Sequence, residues 1–194
     1  MPPKNKFTKK QLIDVAFDIA NKEGFNTITI RKIADKLGCS IAPIYVNFKD
    51  VDELKNEVVL KVIDISKQLI LEQNSGNPFL DIGIASVIFA KKYPLLFDEF
   101  GLKHNEFYAK QNEAIDFAIN QMKKDKELSN FTEQELELIL FKMKAFQAGL
   151  SVLARNEQLS AILTDEMIIQ MLDETAQDII DGMRRRGGHD NELR

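Results

Sequence analysis

The sequence predicts an all-α protein of about nine helices, with three short ones in residues 1–54 and a larger helical domain in residues 55–194. Three observations carry this. Runs of β-branched residues with a period of two are almost absent, while apolar residues recur at spacings of three and four. One helix-start pattern repeats along the chain, a Ser, Thr or Asp cap flanked by an apolar residue before it and another four residues after it. Prolines stand at positions 2, 3, 43, 78 and 94 and nowhere later, which leaves the last hundred residues free to run as long helices.

The elements follow in order. Thr8 opens the first helix, 8–23, with Gln11 as its capping-box partner and Phe7 and Leu12 as the hydrophobic staple. Gly24 closes it, where a left-handed residue is expected. Thr29 caps a second helix, 29–37, which ends at Gly38, and Ser40 caps a third, 40–46. Pro43 falls in the first turn of that third helix, where a missing N–H costs least. Asp50 with Glu53 forms another box and starts a long helix, 50–72, followed by the loop Gln73-Asn74-Ser75-Gly76-Asn77-Pro78. Further helices are expected at 78–92, 94–101, 104–125, 132–156 and 164–184, with Thr132 and Glu135 a second full box and residues 184–190 a polar, fraying tail.

Composition bounds the function classes. The chain has 194 residues, 44% of them hydrophobic, and a single cysteine, so it can build a core but not a disulfide, zinc-finger or iron–sulfur framework. The longest uncharged apolar stretch, Ile82 to Ala90, is nine residues, and a spanning helix needs about 20. With a polar N-terminus and one cysteine, a cytoplasmic location is expected. The net charge is −4, but it is unevenly spread. Residues 1–49 carry nine Lys/Arg against four acids, and the remainder is correspondingly acidic. A small cationic head precedes an acidic body.

Three short helices with a tight Gly38-Cys39-Ser40 turn before the third match a helix-turn-helix, whose last helix enters the DNA major groove. Leu12, Ala16, Ile19, Ile30, Ile33, Leu37, Ile44 and Phe48 supply one compact apolar set beneath it. Any small helical bundle shows such spacing, and the local positive charge is what favours DNA.

The segments Gly24-Phe25, Thr29-Ile30-Arg31-Lys32-Ile33-Ala34, Leu37-Gly38-Cys39-Ser40 and Ile44-Tyr45-Val46-Asn47-Phe48 resemble the DNA-binding domain of the tetracycline-repressor (TetR) family over about the first 55 residues. The resemblance implies a homodimer that reads a near-palindromic operator and is released by a small effector bound in the C-terminal domain. It places Tyr45 and Asn47 at phosphates, with Lys49 beside them, Thr29 at the backbone, and Arg31 at a base or a phosphate. The third helix carries no charge from Ser40 to Phe48. Base readout is therefore expected from Ile41, Ala42 and Pro43 against thymine methyl groups, beside the Ser40 cap. Val51 stands where the family often has a basic residue. Cys39, where the family has Val, is read as a small buried hydrophobe rather than a redox sensor.

In the body, the helix 78–92 is apolar nearly all round, as an enclosed helix is. Phe89, Phe97, Phe100, Phe141 and Phe146 are expected to wall an apolar cavity, with Tyr108, Gln111 and Asn112 orienting the ligand, although such a stripe can equally be core. The acidic body slightly favours a neutral or cationic effector. Leu136, Met143, Leu150, Leu153, Ile168, Met171, Leu172, Thr175 and Ile179 form a seam spaced by three and four on the last two helices. A four-helix bundle with a second copy is the favoured reading, and an internal antiparallel pair the other.

No enzyme motif is present: there is no Glu-x-x-His, no phosphate loop and no nucleophile elbow, and the two histidines, His104 and His189, sit at a helix start and in the tail. No cofactor and no metal are expected. The expected function is a DNA-binding transcriptional regulator, most simply a repressor. The alternatives are an activator, a helix-turn-helix module for protein contacts, or an all-helical enzyme.

Overall fold

The computed structural model describes residues 7–103, 108–160 and 162–192, and among these there is no β-strand. The helices are α1 Lys9–Glu23, α2 Ile30–Leu37, α3 Ala42–Tyr45, α4 Val51–Gln73, α5 Pro78–Lys92, α6 Pro94–Phe97, α7 Tyr108–Met122, α8 Glu133–Leu153, α9 Glu157–Ser160 and α10 Asp165–Glu192. The chain forms two compact units, Met1–Ile65 with Tyr93–Gln111, and Ser66–Lys92 with Asn112–Arg194. The boundary expected at 54/55 therefore falls inside α4, which contributes to both units. The first unit also takes in a segment from the middle of the chain.

Most helix starts form as the capping chemistry predicts. At α1 the Thr8 backbone N–H donates to Gln11 Oε1 at 2.8 Å, and the Gln11 N–H returns to Thr8 Oγ1 at 3.2 Å. Thr29 Oγ1 accepts from the Lys32 N–H at 3.2 Å. Gly38 ends α2 in the left-handed region, φ 62°, and the Cys39 N–H reaches back to the Ala34 carbonyl at 3.0 Å. Asp50 accepts from the Glu53 N–H at 2.8 Å, but Glu53 Oε2 takes the Lys49 N–H at 2.7 Å, so this box closes one residue early.

Other starts and ends differ. Ser40 does not cap the third helix. The donor three residues beyond it belongs to Pro43, which has no N–H, and Ile41 is already helical at φ −69°, so α3 spans only Ala42–Tyr45. Gly24 has φ 96° and ψ 148°, outside the left-handed helical region, and leads into a 3₁₀ turn at Phe25–Thr27. The expected helix 94–101 is a single α-turn continuing as a π-turn over Asp98–Leu102. Beyond Leu153 the chain turns and forms α9 as a separate element, and α10 runs to Glu192 instead of fraying from 184. The Arg184 guanidinium donates to the Glu127 carbonyl at 2.9 Å and Met183 is buried, which fixes the turn that local sequence leaves free.

In the first unit Leu12, Ala16 and Ile19 of α1, Ile30 and Ile33 of α2, and Ile44 and Phe48 are buried as expected, with Leu37 only half-buried. Phe17, Phe25, Ile28, Leu54, Val58 and Leu96 are among the residues that add to this core. The segment Tyr93–Leu102 packs on the same core: Tyr93 stands edge-on to Phe17 at 5.6 Å and Phe100 edge-on to Phe25 at 5.1 Å. A Cβ on Gly101 would come within 3.2 Å of the Phe97 ring, a contact tighter than side chains normally make.

In the second unit α5, α8 and α10 pack against one another around Phe79, Ile82, Leu136, Ile139, Met143, Leu150, Leu172 and Ile180, with Met122 of α7 joining them. Each fully buried Leu or Ile there contributes about 1.5–3 kcal/mol. Asn77 Oδ1 accepts from the Phe79 and Leu80 N–H groups and starts α5. Thr132 and Glu135 start α8 with a complete box. Replacing Thr132 by Ala is expected to cost about 1 kcal/mol in thermal or urea denaturation. The Glu135 carboxyl is held below the usual carboxylate range, first by the Thr132 N–H and then by its hydroxyl. The stability it contributes is present above the ordinary carboxylate pKa and is lost as pH falls through the lowered value, so Glu135→Ala and the native chain should converge in acid.

Candidate nucleic-acid interface

The first unit raises a surface on a closed apolar base. Ile44 and Phe48 point into the core, and the opposite side of the turn from Ile41 to Val46 faces solvent. Ile41, Ala42, Tyr45 and Val46 are exposed there, Tyr45 by 52% and Val46 by 65%. Ile41, Tyr45 and Val46, on and beside a four-residue helix, form an exposed apolar patch of the kind that marks a contact surface. Thr29, Arg31, Ser40 and Lys49 are exposed as well, and Pro43 is half-buried.

Two residues differ from expectation. Asn47 is half-buried, and its Nδ2 donates to the Pro43 carbonyl at 3.0 Å and to the Phe7 carbonyl at 3.4 Å. Its amide closes α3 against the chain before α1, which is a positioning task. Val46, which sequence reasoning passed over, is the most exposed of the large apolar residues in this unit. Its place beside Tyr45, outside the i, i+4 pair of Ile44 and Phe48, was the available signal. Cys39 is half-buried, between the two readings given to it.

The positive charge of the unit is partly spent internally. Lys32 and Lys36 reach Glu23 at 2.5 and 3.3 Å, Lys9 reaches Glu57 at 2.7 Å, and Lys61 reaches Asp14 at 2.6 Å. The Glu23 carboxyl is correspondingly pulled below its ordinary range, chiefly by its hydrogen bond from Lys32. Lys10, Arg31 and Lys49 make no ion pair among the described residues, so their charge is available to an external anion.

The residues expected to line a ligand cavity are divided between the two units. Phe97 is buried and Phe100 half-buried in the first unit, whereas Phe89 and Phe146 belong to the second. Phe141 is 70% exposed and Asn112 is exposed, so Phe141 lines no interior. The side chains of Tyr108 and Gln111 lie outside the described residues, as do those of His104 and His189. Two clefts of the second unit lie elsewhere. One of about 190 Å³ lies among Ile70, Leu71, Pro78, Asp81 and Gln121, and one of about 360 Å³ among Glu127, Phe131, Glu135 and Arg184.

The seam on the last two helices is largely internal. Leu136, Met143, Leu150, Ile168 and Leu172 are buried within their own chain, and Met171, Thr175 and Ile179 are half-buried beside them. The contact between α8 and α10 closes this seam, so its buried members do not face a second copy. The opposite side of α8 is apolar as well. Leu138, Phe141, Ala145, Gly149 and Val152 are exposed at helical spacing, with Leu153 exposed at the margin. Asp81, 8% exposed, accepts the Ser75 N–H at 3.0 Å and serves the loop before α5.

No family model matches the chain. A segment of 75 residues, 39% of the chain, is 33% identical to an uncharacterized HTH-type transcriptional regulator, YvkB, of Bacillus subtilis, and it spans 39% of that protein's length. Among solved structures, a transcriptional regulator from Rhodococcus sp. Rha1 superposes with a TM-score of 0.62 at 17% identity, covering 91% of this chain and 97% of its own. A TetR family transcription regulator from Shewanella sp. PV-4 gives 0.65 at 14% identity over 88% and 96%. The fatty acid degradation regulator FadR of Bacillus halodurans gives 0.59 at 15% identity over 90% and 99%. The chain thus has the all-helical fold of TetR-type transcriptional regulators.

Proposed function

We propose that this chain, built on the TetR-type regulator fold, is a DNA-binding transcriptional regulator that acts as a homodimer in the cytoplasm and releases its operator when a small effector binds its C-terminal domain. The observation that carries the reading is the exposed set Ile41, Ala42, Tyr45 and Val46, in a unit whose exposed Arg31 and Lys49 make no ion pair among the described residues. Arg31 pairs with a base edge or phosphate, Lys49 and Tyr45 hold the backbone, Thr29 and Ser40 add hydroxyl contacts, and Ile41, Ala42, Pro43 and Val46 press on thymine methyl groups. Asn47 holds the turn that presents them.

Two half-sites of a near-palindrome need two copies related by a two-fold axis. The outer face of α8 supports that role, because it is a long apolar helix face left open by the core of its own unit. Ala145 and Gly149 at its centre permit close approach of a second α8. Release is a population shift. α5 runs directly into Tyr93 on Phe17, and α4 contributes to both units, so a change at α5 reaches α1 through the covalent chain.

The test is binding of the purified protein to its own upstream intergenic DNA at two salt concentrations, with Tyr45→Ala as control. Selective, salt-dependent binding that Tyr45→Ala abolishes is expected. Equal binding by native and variant protein would remove the reading. Within the interface, Lys49→Ala should weaken binding for all sequences alike and lower the salt slope by about one. Arg31→Ala should cost about 1–3 kcal/mol and relax preference at one base pair, measured by competition among operator variants.

A further inference from the structure

Gln147 and Ser151 stand one helical turn apart on the buried side of α8, 2% and 1% exposed. Gln147 Nε2 and Ser151 Oγ have no hydrogen-bond partner among the described residues, although both are out of contact with solvent. Other buried polar groups of this unit are satisfied: Asp81 accepts the Ser75 N–H at 3.0 Å, and Gln121 Oε1 accepts from Lys124 Nζ at 2.9 Å. α5 comes close at the same place. A Cβ on Gly83 would lie 3.3 Å from Gln147 Nε2 and 3.5 Å from a Leu172 methyl. The rest of the surroundings is the apolar core of α5, α8 and α10, including Met143, Leu150 and Leu172. Met and Ala would fill these two positions without stranding a dipole, so packing alone does not account for their polarity.

We infer that Gln147 and Ser151 are the recognition pair for a neutral, carbonyl-bearing amphiphile, an amide, ester or lactone, whose apolar remainder lodges among α5, α8 and α10. This rests on the reading of the second unit as effector-binding. Gln147 Nε2 donates to the carbonyl oxygen, and the Ser151 hydroxyl donates to the same oxygen or accepts from an amide N–H. An ionised head group would bury a charge that neither side chain neutralises. The closed core leaves two dipoles unsatisfied, and a ligand that satisfies them favours the opened arrangement by its differential affinity. Leu172, against the glycine at 83, is the side chain that yields space.

The experiment is thermal denaturation of the full chain with octanamide at about 1 mM, against octanoate and octylammonium, in the native protein, Gln147→Met and Ser151→Ala. Octanamide is expected to raise the native midpoint by several degrees, and to leave both variants unshifted. The variants themselves should melt at or above the native temperature, since each removes a stranded polar group. The inference is overturned by no shift with octanamide, by equal shifts in the variants, by charged analogues acting as strongly, or by variants that both melt lower. DNA binding is scored separately. An octanamide shift that needs both residues in a protein with no operator binding would overturn the regulator reading and leave the ligand site standing.

Discussion

Replacing Ala145 by Glu should yield a folded monomer whose operator affinity falls by about two to four orders of magnitude. Ala145 lies at the middle of the exposed stripe formed by Leu138, Phe141, Gly149 and Val152 on α8. Glutamate there adds no strain to the protomer, because the position already faces water. At a two-fold interface the same change places two carboxylates against an apolar surface, and their desolvation opposes association. A protein reading one half-site keeps the local contacts but loses the gain from holding both together. Sedimentation or light scattering gives the mass, circular dichroism the fold, and titration of operator DNA the affinity. Asn120→Asp on the exposed side of α7 is the control that should change none of them. A dimer that survives Ala145→Glu would remove α8 as the contact.

Phe48→Ala should cost about 3–5 kcal/mol and abolish DNA binding while leaving the dimer intact. The ring is 1% exposed, at the foot of the turn that carries Tyr45 and Val46, with Lys9 Nζ lying 5.3 Å from its centroid. Truncation leaves a cavity in the core that supports this turn. Because the α8 surface belongs to the other unit, the oligomer should persist. A two-stage melt, with the lower transition moved down in the variant and the upper one unchanged, is the expected signature. A variant that melts at the native temperature and still binds its operator would show that this side chain does not support the reading surface.

The N-terminal core was legible because its signals are local. Thr8 with Gln11, Thr29 with Lys32, and Gly38 at φ 62° each act over three to five residues, and the apolar spacing of Leu12, Ala16 and Ile19 selects one helix face. The third helix was read too long because the absence of an N–H on Pro43 defeats the cap at Ser40. The resemblance implies a phosphate contact for Asn47, because it occupies a position where the family meets the backbone. Its bonds to Pro43 and Phe7 depend on a neighbour forty residues away.

Amphipathic spacing determines which residues cannot all face water, and on α8 that condition was met on two sides. Leu136, Met143 and Leu150 satisfied the periodic pattern, as did Leu138, Phe141 and Ala145, half a turn round. Only the packing of α5 and α10 decided that the first set is core and the second is free. The same holds for Gln147 and Ser151, whose side chains are ordinary on an exposed helix and become exceptional once three helices exclude water from them. The sequence by itself determined an all-helical chain, most of the helix starts and the composition of the head. Tertiary structure decided which face of each long helix is closed, because burial depends on neighbours distant in the chain, whereas capping and periodicity are settled within a few turns.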